Sequence, residues 1–486
     1  MAPPTAEAKR LPSLLCLVLL AATTVPALPQ EDGLAAALND AIRSARRTTG
    51  RLGVHVVRVA DGEEVAAYRA DDLHIVASNT KLFTTGAALD QLGPGYLFET
   101  EVFYRGPVNG GVLRGDLLVR GAGDPNLSGR HYFGDALAPF RPWAEALLRL
   151  GVRSVGGDLV LEHGFLDDEL VHPDWPRNQL DRWYEAPVSA LSFSDNSLLV
   201  RAWPNGGSRG SVEVLPDLGV LEVSNSTRTV SSARQHSVRI DRAVASPRVE
   251  VSGPLYRSAA PVEAWISVPD PLAYFGAALR RAFAEAGIVV EGEIVPTAEL
   301  PDRAGWRRLA VHRSDLLTTI AVINKRSQNF YAESLLKTLG AERCGEGSWR
   351  AGLELIREFL ADLGVAGDYK LADGSGMSRN NLFSARQLTT YLQGMVYHPL
   401  SREFLESLPY SGEIGLKWEE RLAEPPYRGN VFAKTGGLRG VITLSGYAKG
   451  RSGALYAFSI LCNETRGAGR AKAAQDEILR RLIEHG

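Results

Sequence analysis

Apolar and polar positions alternate with a period of two near both ends of the chain. In "LGVHVVRVADGEEVAAYRA", Val54 and Val56 begin an alternation that runs through Val59. A turn at Asp61-Gly62 and a returning run predict a β-hairpin. Upstream, "DGLAAALNDAIRSARR" has helical spacing, and "LFTTGAAL" after the hairpin continues as a helix until "LGPG", Gly93 to Gly95, ends it. The far end mirrors this order. "VFAKTGGLRGVITLSGYAKG" and "GALYAFSILCNE" read as strands around a Gly-rich turn, "KGRSG", and "AAQDEILRRLIEHG" closes the chain as a helix. Two hairpins, each flanked by a terminal helix, predict one antiparallel sheet assembled from both ends and covered by helices, an α+β fold.

Between Phe98 and Trp306 the pattern changes to strand and turn signals such as "GGVLRGDLLVRGAGDP", "SLLVRAWPNGG" and "PRVEVSGPLY", with one late helical stretch, "DPLAYFGAALRRAFAEAG". This texture marks β-rich insertions. From Asp315 helical spacing returns in "DLLTTIAVINKRSQNFYAESLLKTLG" and "WRAGLELIREFLADLG". The boundaries assigned are residues 30–97 with 307–486 for the main domain, 98–195 with 262–306 for a first inserted domain, and 196–261 for a second. A length of 486 residues suits such a division.

Composition narrows the function classes. The formal charge of -2 argues against a nucleic-acid partner, which calls for a basic balance or stripe. Lys9 and Arg10 precede the apolar, then small-residue, stretch "LPSLLCLVLLAATTVPALPQ", so residues 1–29 read as a signal peptide cut near Ala27. Export to the periplasm or cell envelope is expected. Cys16 follows Leu14 and Leu15, where a lipoprotein signal would want small residues. Cys344 and Cys462 remain beyond the signal; they make no disulfide framework, and their pairing stays open. The nine histidines are scattered without metal-ligand spacing, so no metal or other cofactor is expected.

Three short motifs carry the chemistry. Ser78 and Lys81, in "ASNTKL", are three residues apart at a helix start, a spacing that lets an amine reach a hydroxyl. Apolar neighbours such as Val76, Leu82 and Phe83 would disfavour the charged amine and make it a base. The ordinary alternative makes Ser78 a helix N-cap. The same spacing recurs in "SLLK", Ser334 to Lys337, well inside a helix, and is read as structural. "KTG" at Lys434 to Gly436, followed by Gly437, places a cation, a hydroxyl and glycines at the start of an apolar strand, where a peptide could pair. For the third motif two copies compete: "SDN" at Ser194 to Asn196, read as a turn entering a strand, and "SQN" at Ser327 to Asn329, read as an inter-helix loop.

Ser-x-x-Lys, Ser-x-Asn and Lys-Thr-Gly in that order form the set of penicillin-binding proteins and class A β-lactamases. "ASNTKLFTTGAAL", "INKRSQNFYAESLLKTLG", "LADGSGMSRNNLFS", "LPYSG", "AKTGGLRGV" and "GDLLVRGAGDPNLSG" together resemble the D-alanyl-D-alanine carboxypeptidase/endopeptidase family of low-molecular-mass class C penicillin-binding proteins. The resemblance implies a penicillin-binding, serine β-lactamase-like domain with inserted domains between Lys81 and Ser327. It implies Ser78 as nucleophile, Lys81 as base, Ser327 as proton relay and Lys434 as a cation keeping the field positive. Asn329 and Thr435 would bind substrate, with Gly436 and Gly437 on the strand edge. Backbone N–H groups of Ser78 and Gly437 would form the oxyanion hole. In the same sense "LADGSGMSR" would bring Asp373 or Ser375 to the substrate. Peptidoglycan stem peptides and cross-links are the implied substrates, and β-lactam antibiotics the implied covalent inhibitors. Peripheral association with a membrane is left open. Gln328 and Gly437 depart from the common Asp and Thr. A serine β-lactamase or esterase on the same fold, and a non-catalytic cell-wall-binding scaffold, remain as alternatives.

Overall fold

The computed structural model describes residues 31–299 and 304–486. Residues 1–29, read above as a signal peptide, therefore lie outside the described residues. The two ends of the described chain build one five-stranded antiparallel sheet, in the order Glu64–Tyr68, Arg51–Arg58, Leu455–Asn463, Val441–Lys449, Val431–Leu438. The predicted hairpin pairs Val54 with Tyr68 and Val56 with Ala66. Its first strand joins the other end of the chain, Val54 opposite Ile460 and Val56 opposite Phe458. The strand carrying the Lys-Thr-Gly motif is at the sheet edge, which leaves one side of its ladder open.

Each face of this sheet has its own core. On one, the terminal helices Glu31–Ala45 and Ala468–His485 bury Leu38, Ile42, Ile478 and Leu482 against Val54, Val56, Leu444 and Ile460. On the other lies the helix Thr80–Leu92, whose residues 80 to 89 are all buried. An apolar-all-round helix belongs in the middle of a core. Phe83 and Leu89 pack there among Leu335, Phe359 and Tyr391 from three further helices. Its threonines avoid orphaned hydroxyls by bonding carbonyls, Thr84 to Gly374 at 2.7 Å and Thr85 to Lys81 at 2.8 Å.

The chain leaves this body and returns along one antiparallel pair, Leu97–Arg105 with Trp306–Asp315. The intervening stretch has a separate aromatic core of Phe140, Trp143, Phe193, Tyr274 and Phe275. It is less purely β than its sequence texture suggests. Strand Leu117–Arg120 pairs in parallel with Leu159–Glu162, and a parallel pair needs a crossover, here the helix Arg141–Arg149. The helix Pro271–Glu285, foreseen from its spacing, covers the same core. The insertion also holds a short four-stranded sheet and two three-stranded ones, one built on Ser197–Trp203 and one on Arg248–Tyr256. Cys344 is exposed and Cys462 buried, and both are free.

Candidate active site

Ser78 does not begin an α-helix directly. It lies in a 3-10 turn, Ala77–Asn79, that runs into Thr80–Leu92, and its side chain caps nothing. Ala77 before it has φ of 47°, a backbone state that a non-glycine residue holds only when its surroundings enforce it. Two contacts do so. Asn79 Nδ2 donates to Lys434 O at 2.7 Å, tying the turn to the edge strand, and Thr443 Oγ1 donates to Val76 O at 2.8 Å. The N-cap alternative for Ser78 thus fails, and its half-buried hydroxyl is left for Lys81, whose Nζ is 3.1 Å away.

Lys81 is fully buried. Besides Ser78, its Nζ donates to Asn329 Oδ1 and to Ser375 O, each at 2.6 Å. Burial lowers its amine from 10.5 to about 7, against the pull of the Glu333 and Asp373 carboxylates. Lys434, also fully buried, donates to Ser327 Oγ at 2.7 Å and to Thr435 O at 2.9 Å. Burial, then the charge of Lys81, pushes Lys434 well below the usual lysine range. The two buried amines thus disfavour each other's charge, which is the influence on Lys81 expected of Lys434. Lys417 adds a further like charge that lowers Lys434.

The Ser327–Asn329 loop joins helices Leu316–Arg326 and Asn329–Cys344, as its sequence predicts. Ser327 takes a left-handed conformation, φ 60° and ψ 39°, that ends the first helix and aims the hydroxyl at Lys434. Asn329 opens the second helix, and its Nδ2 donates to Tyr184 O at 2.8 Å. Lys81 thus holds Ser78 and Asn329, and Lys434 holds Ser327, with Ser327 and Asn329 in one short loop.

The strand edge closes on the same point. A Cβ at Gly436 would lie 2.1 Å from Thr443 Oγ1, 2.9 Å from Val76 O and 3.1 Å from Ser78 N, so only glycine lets the strand approach the Ser78 turn. Thr435 is half-buried and Gly437 exposed beside it.

Asp373 and Ser375 present no exposed side chain to a substrate. Both are fully buried, and the Asp373 carboxylate is saturated by Trp175 Nε1 at 3.0 Å, Gly376 N at 2.7 Å, Ser378 N at 2.5 Å and Asn381 Nδ2 at 2.8 Å. It knots its own loop and leaves no lone pair for a substrate. Ser375 contributes its carbonyl to Lys81, while its hydroxyl accepts from Met377 N at 3.3 Å. A Cβ at Gly376 would lie 1.9 Å from Ala77 O, so this loop braces the nucleophile turn from behind.

Sequence reasoning missed Glu333, one helical turn beyond Asn329. It is fully buried and accepts from Ser375 N at 2.7 Å, Gly374 N at 3.0 Å and Trp349 Nε1 at 2.8 Å, fixing the carbonyl that faces Lys81. Its signal was present, a carboxylate on an otherwise apolar face four residues from a motif asparagine. The second Ser-x-x-Lys pair has other duties. Lys337 pairs with Asp167 at 2.5 Å and with Glu169 O at 2.6 Å, over the Trp349 ring. Among the described residues no group of three or more His, Cys, Asp or Glu side chains could hold a metal ion.

A serine hydroxyl paired with a buried lysine, beside a serine-asparagine loop and an open strand edge, defines a serine acyl-transfer enzyme of the penicillin-binding type. The description of the D-Ala-D-Ala carboxypeptidase 3 (S13) family matches residues 34–483, and the chain belongs to that family, which makes it a serine hydrolase. A D-alanyl-D-alanine carboxypeptidase of Actinomadura sp. (strain R39) is 35% identical to it, over 98% of this chain and 91% of the relative. Penicillin binding protein 4 of Haemophilus influenzae has the same fold, with a TM-score of 0.78, 24% identity and 90% and 97% of the two chains covered. The same Haemophilus protein complexed with a β-lactam aligns with a TM-score of 0.75 and 25% identity, over 91% and 99% of the chains.

Proposed function

We propose that this protein is an exported peptidase of the cell envelope. It cleaves D-alanyl-D-alanine bonds of peptidoglycan stem peptides, and of cross-links, through an acyl-enzyme on Ser78. The observation that carries this reading is the fully buried Lys81 amine, driven toward neutrality and bonded to the Ser78 hydroxyl. In acylation Ser78 Oγ attacks the carbonyl carbon and its proton passes to Lys81 Nζ. The C–N bond then breaks, and the leaving D-alanine nitrogen takes up a proton through Ser327. Asn329 holds the substrate amide. Thr435 and Lys434 receive the terminal carboxylate, whose charge would restore the proton that burial denies Lys434. Backbone N–H groups of Ser78 and Gly437 stabilise the developing oxyanion, each donor being worth about 10²- to 10³-fold in rate. Water then releases the acyl group. A β-lactam offers the same carbonyl and carboxylate and acylates Ser78. Glu333 and Asp373 are committed to loop donors, so neither offers the additional general base that fast turnover of a β-lactam adduct would need, which disfavours the β-lactamase alternative.

Labelling with a fluorescent penicillin tests the assignment: the wild type labels and Ser78→Ala does not. Equal labelling of both removes Ser78 as nucleophile. Product analysis on purified muropeptides then separates release of D-alanine from cleavage of dimers.

A further inference from the structure

The triplet Ser194–Asn196, read from sequence as a turn entering a strand, packs against the loop that carries Ser327 and Asn329. It is a 3-10 turn whose residues all have positive φ, 49°, 57° and 46°. Consecutive left-handed non-glycine residues are costly and persist only where their surroundings hold them. Asn196, fully buried, does the holding. Its Oδ1 accepts from Phe193 N at 3.1 Å, and its Nδ2 donates to Pro187 O and Ser192 Oγ, both at 2.9 Å. What the constrained turn presents is Asp195. Its Oδ2 accepts from Gln328 Nε2 at 2.6 Å and from the Arg130 guanidinium. Arg130 in turn lies 5.6 Å from the ring centre of Tyr331, in the helix that Asn329 opens. Gln328 is only 6% exposed, so its amide has little access to water.

We infer that Asp195 is a positioning residue for the reaction: through Gln328 it holds the Ser327–Asn329 loop in register with Lys81 and Lys434. The inserted domain thereby grips the motif loop at two points, Asp195 on Gln328 and Tyr184 O on Asn329. This also accounts for the glutamine in the middle of the motif. An aspartate in its place would set carboxylate against carboxylate, whereas an amide donates. The other groups facing Asp195 are Arg130 and His131 from the Gly129–His131 turn, Tyr274 from the Pro271–Glu285 helix and Tyr331.

The inference rests on Ser78 being the acylated residue, and its test is built to fail separately. In the full chain, Gln328→Asp lowers the rate of acylation by a fluorescent penicillin at pH 7.5 by about 10- to 100-fold, a cost typical of ångström-scale misplacement. The ratio of variant to wild type climbs toward one near pH 5, where the facing carboxyl pair of that variant holds a proton and its hydrogen bond forms again. The double variant Gln328→Asp with Asp195→Asn, which puts the amide on the opposite side, returns to within about threefold of wild type at pH 7.5. A ratio that ignores pH, or a double variant no faster than the single, overturns the inference. Should Gln328→Asp fail to fold, Asp195→Ala replaces it: a rate about tenfold lower with KM for a D-Ala-D-Ala peptide retained supports the role, and an unchanged rate overturns it. A wild type that does not label at all would sink the nucleophile assignment instead.

Discussion

Acylation should report the protonation of Lys81 directly. Burial lowers that amine from 10.5 to about 7. Such a depression corresponds to on the order of 5 kcal/mol against the charged form in the folded protein. An ordinary lysine would be neutral about one time in a thousand at pH 7.5, whereas most Lys81 is neutral there. Only the neutral amine can take the Ser78 proton, so the rate of penicillin acylation should rise with pH, with a midpoint near 7. Below the midpoint it should fall tenfold per unit, to about one hundredth of the plateau at pH 5. Stability moves the same way. Between pH 7 and 10.5 the unfolded lysine holds a proton that the folded one lacks, so this group makes the fold more stable as pH rises through that window. Stopped-flow acylation from pH 5 to 9, with thermal midpoints to pH 10, measures both effects. Lys81→Met should abolish acylation and flatten the rise in thermal midpoint. A wild-type rate constant across pH 5.5 to 8.5, or a midpoint above 9, would refute the neutral-base mechanism.

Gly436→Ala should reduce acylation by about 100-fold or more while the circular dichroism of the fold survives, because its Cβ meets Thr443 Oγ1 and Val76 O and pushes the strand off the Ser78 turn. Gly437→Ala, with only Ile442 Cδ1 near at 3.9 Å, should lose far less. Lys337→Met should keep the acylation rate within about twofold of wild type and show its effect in the thermal midpoint alone, since its amine serves Asp167 and Glu169 O.

Local periodicity carried much of the fold. The hairpin near Asp61-Gly62, the strands around Lys434 and the two terminal helices were legible because each buries one face, so its apolar positions repeat with its own period. The parallel pair inside the insertion was not legible, since short fully buried strands look alike whichever way they run. Ser78, Lys81, Ser327, Asn329 and Lys434 stood out because their chemistry needs particular residue types at fixed local spacings. The burial of Asp373 was not legible, because a buried carboxylate that knots a loop and one that faces a substrate are spelled the same way.

The sequence by itself determined which side chains could react and which segments would be helix or strand, because spacing and side-chain type act over a few residues. Only the tertiary structure decided the state of those groups. It is packing from distant segments that removes water from Lys81 and Lys434, engages the Asp373 carboxylate, and brings Glu333 and Asp195 to loops they adjoin nowhere in the chain. Burial and charge proximity are sums over neighbours in space, so no local window of residues contains them.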